Sequence, residues 1–276
     1  MARLGSIKYQ VSQILQNVNG IGTSKKETRD QSGVKSLESG HKISDKVHSF
    51  KSLENLKNDL TNLANYAKTE FKIQDIKAIN IDIVSSWIES KNIGYNTASN
   101  YMSELNKVSD HFNFTKEEIK ELRADLKNDL PKAELETRAY KNLEKIELKD
   151  KNQVAFELQR DYGLRVNAAT HINLDKQLNG NTLTYREKGG KLSQKVLSPN
   201  LAQKIKENAV EGKYEINKRT YSRDLQREIE KIGQKYTGTH GIRHTYAQKM
   251  LETHSKAEVS QEMGHSRPEI TDTYLR

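Results

Sequence analysis

The chain of 276 residues has 30% charged and 34% hydrophobic side chains and a formal net charge of +9. Its length allows two domains of ordinary size. No stretch approaches the roughly 20 apolar residues that span a bilayer, so a soluble protein is expected. The N-terminus lacks an apolar core followed by a small-residue cleavage site, which argues against a secretion signal and favours a cytoplasmic location. Because the sequence contains no cysteine, disulfides and thiolate metal sites are excluded.

The positive charge is concentrated in the second half of the chain. Residues 136–276 carry 26 Lys and Arg against 19 Asp and Glu, whereas residues 1–135 carry 20 against 18. Such a balance suits a polyanion such as double-stranded DNA, because each phosphate that a cation neutralises releases condensed counterions. The same composition also occurs in proteins that use it only for solubility or loose anion binding. The net charge is therefore compatible with a DNA partner, but the identification of DNA depends on other residues.

The first half of the sequence predicts an arm followed by a helical bundle. Residues 20–46 are rich in Gly, Ser and Lys, so residues 1–46 are expected to form a partly flexible N-terminal arm. Apolar residues at helical spacing then predict four helices, over residues 46–73, 81–90, 96–112 and 115–126. Thr115 and Glu118 have the spacing of a capping box. Aromatic residues expected in the core of this bundle, at 47–130, are Phe50, Phe71, Trp87 and Tyr101.

The second half predicts a mostly helical domain with one small antiparallel sheet. Pro131 and its polar neighbours predict a linker over residues 131–142, so the second domain is expected at 143–276. Residues 182–186 and 193–197 have strand composition and flank Gly189-Gly190, which indicates a β-hairpin with Lys188 and Lys191 at its tip. Helical patterns surround the hairpin, over residues 149–161, 200–207, 221–232, 239–253, 256–263 and 268–275.

Four short segments in this half carry residues suited to chemistry on a phosphodiester. They are GLRVNAA at 163–169, EKGGK at 187–191, HGIRH at 240–244 and MGHS at 263–266. Tyr274 follows nine residues after His265. Each segment alone is weak evidence, since short strings of this kind arise by chance. Their order and spacing together are far more specific.

These segments resemble the tyrosine recombinase family, in its phage and mobile-element integrase branch. The resemblance covers roughly residues 140–276, and the preceding bundle fits the family's SAM-like core-binding domain by position and pattern. It implies a site-specific DNA recombinase that integrates, excises or resolves a mobile element, encoded by a prokaryotic cell, a phage or such an element. It also implies a homotetramer on paired DNA sites and a monomer or weak oligomer without DNA, with no membrane, no cofactor and no metal. The catalytic residues that the resemblance implies are Arg165, Lys188, His240, Arg243, His265 and Tyr274.

The chemistry explains why these residue types belong together. A tyrosine hydroxyl has an ordinary pKa near 10, so its attack at neutral pH requires nearby cations and a group that accepts its proton. Arg165 and Arg243 would clamp the non-bridging phosphate oxygens, with His265 as a further donor. Lys188 would protonate the leaving 5′-oxygen, with Lys191 as the fallback and as a DNA contact. His240 is then assigned to proton handling near Tyr274, or to holding the phosphate.

Other interpretations of the same residues remain open. His240 and His244 have metal-ligand spacing, yet residue 241 is Gly and Arg243 would repel a cation, which argues against a metal site. His244 is expected to be structural, packing behind Arg243, and Tyr246 to be a core residue. Many members of the family continue beyond the nucleophile into a tail that docks on a neighbouring subunit, whereas this sequence ends at Arg276. Docking of the C-terminus in cis or in trans therefore stays open.

Two other functions compete with recombination. A nicking-closing enzyme of the type IB topoisomerase kind shares the chemistry but works as a monomer, and the helical bundle ahead of the catalytic domain argues for recombination instead. A DNA-binding architectural protein of the same fold would not cleave at all. The presence of all six candidate catalytic residues argues against this last alternative.

Overall fold

The computed structural model of the chain describes residues 5–132, 137–187, 192–265 and 269–274. The chain divides into two compact units, Met1–Glu134 and Leu135–Arg276. Each unit buries its own cluster of apolar side chains, which is the minimum for an independent core. None of the described helices is long and apolar enough to cross a lipid bilayer.

The first unit is a bundle of α-helices joined by short connections. Its helices are α1 (Ile7–Val18), α2 (Lys25–Gln31), α3 (Phe50–Phe71), α4 (Ile81–Glu89), α5 (Tyr95–Val108) and α6 (Lys116–Asp129). Helix α6 begins at the predicted capping box: the Thr115 hydroxyl accepts from the backbone N–H of Glu118, whose carboxylate accepts from the N–H of Thr115. The two bonds satisfy donors that the first helical turn leaves free.

The first 46 residues differ from the predicted arm. One side of α1 is buried in the core of the first unit, through Val11, Ile14 and Val18. Residues 20–46 contain α2, and Val34 within this stretch is 6% exposed. The prediction was misled by composition: Gly, Ser and Lys dominate the stretch, while a few apolar side chains at wide spacing are enough to anchor it.

The aromatic residues of the bundle are only partly in the core. Trp87 is 2% exposed, as expected of a core residue, and its ring lies 4.8 Å from that of Tyr101, which is only partly buried against the core. The predictions for Phe50 and Phe71 were wrong, because their exposed fractions are 78% and 44%. Both residues lie at the ends of α3, whose buried side chains occupy its middle turns. Helical spacing identified the right face of α3 but not how far along the helix that face is covered.

The second unit combines helices with two small antiparallel sheets. Its helices are α7 (Asp150–Tyr162), α8 (Val166–Thr170), α9 (Leu174–Gln177), α10 (Pro199–Glu207), α11 (Lys218–Lys231), α12 (His240–Leu251), α13 (Lys256–Glu262) and α14 (Glu269–Asp272). Its strands are β1 (His171–Asn173), β2 (Leu178–Asn179), β3 (Thr182–Arg186), β4 (Leu192–Val196) and β5 (Lys213–Glu215). The predicted fold class, mostly helical with a small antiparallel sheet, is confirmed for the described residues.

The sheets contain the predicted hairpin and a second pair that the sequence did not reveal. Strands β3 and β4 pair antiparallel, with Leu183 opposite Lys195 and Tyr185 opposite Ser193, and β2 adds a third strand beside β3. Strands β1 and β5 form a separate two-stranded sheet, so the prediction of one sheet was wrong. With three residues each, β1 and β5 are too short to show a clear alternation of polar and apolar side chains.

The described end of the predicted linker packs onto the second unit. Tyr140 is 3% exposed, and its hydroxyl donates to the carbonyl of Gly238 at 2.9 Å. The backbone N–H of Tyr140 donates to the hydroxyl of Thr245 on α12 at 2.7 Å. Residues 137–142 are thus held to the helix that carries the His-x-x-Arg segment, which differs from a linker spanning 131–142.

Candidate active site

Arg165 stands at the junction between α7 and α8. Gly163 ends α7 in the left-handed conformation, with φ of 65°, and Arg165 is the N-cap residue of α8. The Arg165 side chain is 24% exposed and forms an ion pair with the almost completely buried carboxylate of Glu187. Arg165 is therefore held in place and still open on one side.

Helix α12 presents His240, Arg243 and His244 together. Residues three and four apart lie on the same face of a helix, so one face carries all three side chains. Arg243 is 1% exposed, and its two terminal nitrogens donate to the carbonyls of Gly163 and Met263. The guanidinium thereby ties α12 to the turn before Arg165 and to the turn before His265. A buried charge held by two carbonyls is fixed in orientation.

Gly241 in the same segment is required by a close approach. A Cβ atom at this position would lie 2.4 Å from Cε2 of Tyr140 and 2.6 Å from the carbonyl oxygen of Arg138. The backbone carbonyl cannot be moved by a side-chain rotation, so a larger residue would push the start of α12 away from residues 137–142. The Gly of this segment is thus explained by packing.

His265 follows α13 through a left-handed glycine. Gly264 has φ of 64°, and His265 is 8% exposed. Its Nδ1 lies 2.8 Å from the hydroxyl of Thr271, which is fully buried. The Nε2 atom is buried and has no hydrogen-bond partner among the residues that the structure describes. If the Thr271 hydroxyl donates to Nδ1, then Nε2 carries the proton and is a free donor inside the site.

Tyr274 docks into this group of residues within its own chain. It is 5% exposed, and its hydroxyl lies 2.8 Å from Nε2 of His240. Its ring stacks on that of His244, with 4.5 Å between centroids and 26° between planes, and the His265 ring is 4.9 Å away. The guanidinium carbon of Arg243 lies 6.0 Å from the ring centroid. The tyrosine is therefore buried among cationic and imidazole groups.

The electrostatic surroundings keep the site histidines neutral. Burial lowers the pKa of His240 to about 4, and the neighbouring His244 and Arg243 act in the same direction. Burial also lowers the pKa of His265 to about 4, with Arg243 and Arg165 adding to the effect. At neutral pH the His240 ring is therefore uncharged, and in the tautomer with its proton on Nδ1 the Nε2 atom accepts a hydrogen bond from the Tyr274 hydroxyl.

The structure brings five of the six predicted catalytic residues into one site, namely Arg165, His240, Arg243, His265 and Tyr274. The sixth, Lys188, and the alternative lysine, Lys191, lie outside the described residues. Within the described part of the chain, no three His, Asp or Glu side chains are grouped in a way that could hold a metal ion.

His244 and Tyr246 both occupy defined places near the site. His244 was expected to pack behind Arg243, and it instead stacks directly on the ring of Tyr274. Tyr246 is 8% exposed, as expected for a core residue, and its hydroxyl donates to Oε1 of Glu262 at 3.1 Å. The same carboxylate forms an ion pair with Lys195 of β4, whose Nζ also donates to the carbonyl of Glu262 at 3.1 Å.

Sequence reasoning missed Glu187, Lys195 and Thr271. The first two had a detectable signal, because side chains alternate between the two faces of a strand. Leu183 and Tyr185 are buried, so the same alternation turns Glu187 inward, and Lys195 pairs directly with Leu183 on the inward face. A charged residue at an inward position requires a partner of opposite charge. Thr271 had no comparable signal, since nothing in the sequence indicates which residue will meet His265.

Comparison with known proteins gives a consistent assignment. The model of the phage integrase family matches residues 115–276. Comparison with the sequences of curated proteins finds no match. Among solved structures, the XerH site-specific recombinase bound to difH substrate, in a pre-cleavage complex, has a TM-score of 0.64 at 15% identity, with 98% of this chain and 92% of that chain covered.

Two further structures are similar over most of their length. The Tn1549 transposon integrase (residues 82–397, Y379F) in complex with transposon right end DNA has a TM-score of 0.61 at 12% identity, covering 99% of this chain and 95% of that chain. The lambda integrase (residues 75–356) dimer bound to a COC′ core site has a TM-score of 0.62 at 14% identity, covering 83% and 89%. At these identities the likeness shows a shared fold.

Proposed function

Because the chain belongs to the phage integrase family, it is a site-specific DNA recombinase, and we propose that it cleaves and rejoins DNA through Tyr274. The observation that supports this nucleophile most directly is the 2.8 Å contact between its hydroxyl and Nε2 of His240. The family assignment also implies that the substrate is DNA. Each neighbouring side chain then has a part in the reaction that its position and charge suggest.

The first step is attack of the Tyr274 oxygen on a phosphorus atom of the DNA backbone. His240 is neutral at physiological pH because burial lowers its pKa to about 4, so its Nε2 accepts the phenolic proton as the O–P bond forms. The guanidinium charges of Arg165 and Arg243 favour the phenolate. Removing this base is expected to cost about 10² to 10⁴ in rate, the usual range for general base catalysis.

The phosphate is held by the two arginines and His265. Negative charge grows on the non-bridging oxygens in the transition state, and hydrogen-bond donors with fixed positions stabilise this charge without having to reorganise. Arg243 is fixed by the carbonyls of Gly163 and Met263, and Arg165 by Glu187. The free Nε2–H of His265 supplies a further donor. These groups stabilise charge and leave the covalent chemistry to the tyrosine.

The step is completed when the bond from phosphorus to the 5′-oxygen breaks. Lys188, which follows β3 in the sequence and lies outside the described residues, is proposed to protonate the leaving 5′-oxygen, with Lys191 as the alternative and as a DNA contact. The products are a 3′-phosphotyrosyl link and a free 5′-hydroxyl. Because the number of phosphodiester bonds is conserved, a second 5′-hydroxyl can reverse the step without an external energy source. Strand joining then follows the same path in reverse.

The proposed assembly is a homotetramer on paired DNA sites. Two of the similar structures are DNA complexes named for a recombinase and a transposon integrase, and a third is named as a dimer on a core site. The first unit is proposed to be a helical core-binding domain that grips DNA, and the second to be the catalytic domain. Integration, excision or resolution of a mobile element is the proposed biological reaction, in the cytoplasm of a prokaryotic host.

The experiment is covalent capture of DNA. Wild-type protein and the Tyr274→Phe variant are each incubated with sheared genomic DNA from the host cell in the presence of EDTA. The mixtures are then denatured, and the DNA that stays covalently bound to protein is sequenced. We expect wild-type protein to enrich fragments with one shared core sequence, and Tyr274→Phe to enrich none. A pair of the recovered sites on one plasmid then tests strand exchange. Relaxation of supercoils by a monomer, without strand exchange between sites, would favour the topoisomerase alternative. Specific DNA binding without covalent capture would favour the architectural protein.

A further inference from the structure

The strand alternation of the hairpin directs a carboxylate into the active site. Glu187 immediately follows β3, and with Leu183 and Tyr185 it continues the inward face of that strand. Its side chain is only 2% exposed. A carboxylate so deeply buried is costly unless it is paired with a charge, because burial removes its hydration. The position of Glu187 therefore demands a function or a partner.

The partner of Glu187 is Arg165. Oε2 of Glu187 forms an ion pair with Nη1 of Arg165, and neither this Nη1 nor Oε1 of Glu187 has a partner with hydrogen-bond geometry in the described part of the chain. The two clamp arginines are close enough that burial and the charge of Arg243 both lower the pKa of Arg165. Arg243 is held by carbonyl oxygens. Among the described residues, the carboxylate that pairs with a clamp arginine is thus that of Glu187.

Glu187 also touches the turn that carries His265. A Cβ atom on Gly264 would lie 2.9 Å from Oε1 of Glu187 and 3.0 Å from its Cδ and Cγ atoms. The carboxylate is thus confined between Arg165 on one side and the backbone of Gly264 on the other. Such confinement leaves it few rotamers, so the Arg165 guanidinium meets an acceptor with a fixed position.

We propose that Glu187 is a positioning residue for Arg165: it fixes one terminal nitrogen so that the remaining N–H donors face Tyr274 and the scissile phosphate. Its charge offsets the repulsion between the two arginines, which would otherwise favour turning Arg165 towards solvent. This role rests on the proposed function, because Arg165 must contact the phosphate for its orientation to affect the reaction. Glu187 itself contacts neither the tyrosine nor the DNA in this scheme.

The test measures single-turnover cleavage of a captured DNA site by four proteins: wild type, Glu187→Ala, Glu187→Gln and Glu157→Ala. Glu157 is the matched control, because it forms an ion pair with Lys204 at 3.0 Å in the same unit and its side chain is 14% exposed. We expect Glu187→Ala to lose about tenfold to a hundredfold in rate, within the range of coupling between two residues of one salt-bridge network. Glu187→Gln, which keeps an acceptor but no charge, is expected to fall between, and Glu157→Ala to cleave at the wild-type rate.

A double-mutant cycle distinguishes positioning from a general structural role. If Glu187 acts through Arg165, adding Glu187→Gln to Arg165→Lys causes little further loss, so the two effects are not additive. Full additivity, or cleavage by Glu187→Gln at or above the wild-type rate, overturns the inference. Wild-type activity in Arg165→Lys and in Arg165→Ala would instead overturn the proposed function of Arg165. Should Glu187→Ala fail to fold, the isosteric Glu187→Gln still gives the decisive comparison.

Discussion

Among the individual residues, His240 and His265 are two buried histidines whose pKa values are lowered. His240 and His265 have pKa values of about 4, because burial penalises their charged forms, whereas an exposed histidine titrates near 6.5. In the unfolded chain both would bind protons near 6.5. The unfolded state therefore binds more protons between about pH 6.5 and 4, so the stability that these histidines contribute is present above this window and is lost as the pH falls through it.

The expected outcome is a pair of histidine resonances that titrate about two units below the others. Proton NMR of the imidazole C–H groups between pH 7.5 and 3.5 measures this directly, and His240→Gln and His265→Gln assign the signals. Urea unfolding at two pH values provides the second check: the loss of stability on acidification should be smaller in each variant than in wild type. Titration of both rings near 6.5 would contradict the lowering of these two pKa values by burial.

We propose that the Thr271 hydroxyl donates to Nδ1 of His265 and so leaves the ring proton on Nε2. This hydroxyl lies 2.8 Å from Nδ1, so a Thr271→Val substitution, which keeps the shape, removes the donor that leaves the proton on Nε2. We expect cleavage to slow by about tenfold, because His265 would no longer present its Nε2–H as a fixed donor to the charged phosphate. Thr271→Ser should restore most of the rate.

The neighbouring Thr273 provides the control for this substitution. Its hydroxyl donates to the carbonyl of Ile270 at 2.7 Å on the exposed side of the same segment. Thr273→Val should therefore cleave at nearly the wild-type rate. Equal losses in Thr271→Val and Thr273→Val would mean that the segment before Tyr274 is sensitive to any change, and that the tautomer of His265 is not the cause.

Among the structural elements, the turn after α13 joins two parts of the site. Gly264 has φ of 64°, and a Cβ there would meet Glu187, so Gly264→Ala combines backbone strain with a clash. Gly233 after α11 has φ of 76°, but a Cβ at this position would have no other atom within 4 Å, so Gly233→Ala adds strain alone. We expect both variants to lose about 1 kcal/mol of stability from the positive φ. Gly264→Ala is expected to lose more, and also to lose cleavage activity.

Thermal unfolding and single-turnover cleavage of the two glycine variants measure these effects. The difference between the variants isolates the contact with Glu187, since the backbone cost is shared. If Gly264→Ala is no less stable and no less active than Gly233→Ala, then the turn does not pack against Glu187.

The sequence predicted elements well where several local signals agreed. The hairpin had strand composition on both sides of a Gly pair, and α6 had a capping box ahead of an apolar period. Both begin within a residue or two of the predicted positions. The order of the four motif segments was likewise sufficient to name five residues that converge. Each of these sequence signals is local. The expectation that the motif residues meet in one site came from the resemblance to the family.

The sequence failed where structure depends on partners distant along the chain. Strands β1 and β5 are separated by about 40 residues and are too short to be recognised apart from each other. Phe50 has the right spacing for the core, but nothing in the sequence indicates that the covering helices end before it. Thr271 became significant only through its contact with His265. By contrast, Glu187 could have been found, because a charge at an inward strand position is visible in the sequence.

At the scale of the whole molecule, Tyr274 lies beside His240, His244 and His265 of its own chain. We predict that this arrangement in cis is the one that cleaves DNA. A cis active site should not be restored by mixing chains. We expect a mixture of Tyr274→Phe and Arg165→Ala to cleave no more DNA than either variant alone. Recovery of cleavage in the mixture would mean that the tyrosine reaches the arginines of a neighbouring subunit when DNA is bound.

Tyr274, among the 12 tyrosines in the chain, is the residue that we expect to become linked to DNA. The most direct test is mass spectrometry of the covalent complex after digestion of the protein with a protease and of the DNA with a nuclease. We predict a nucleotide 3′-phosphate attached to the peptide that contains Tyr274, and no modified peptide from the Tyr274→Phe protein. A nucleotide on any other tyrosine, or on a residue of another type, would contradict this assignment.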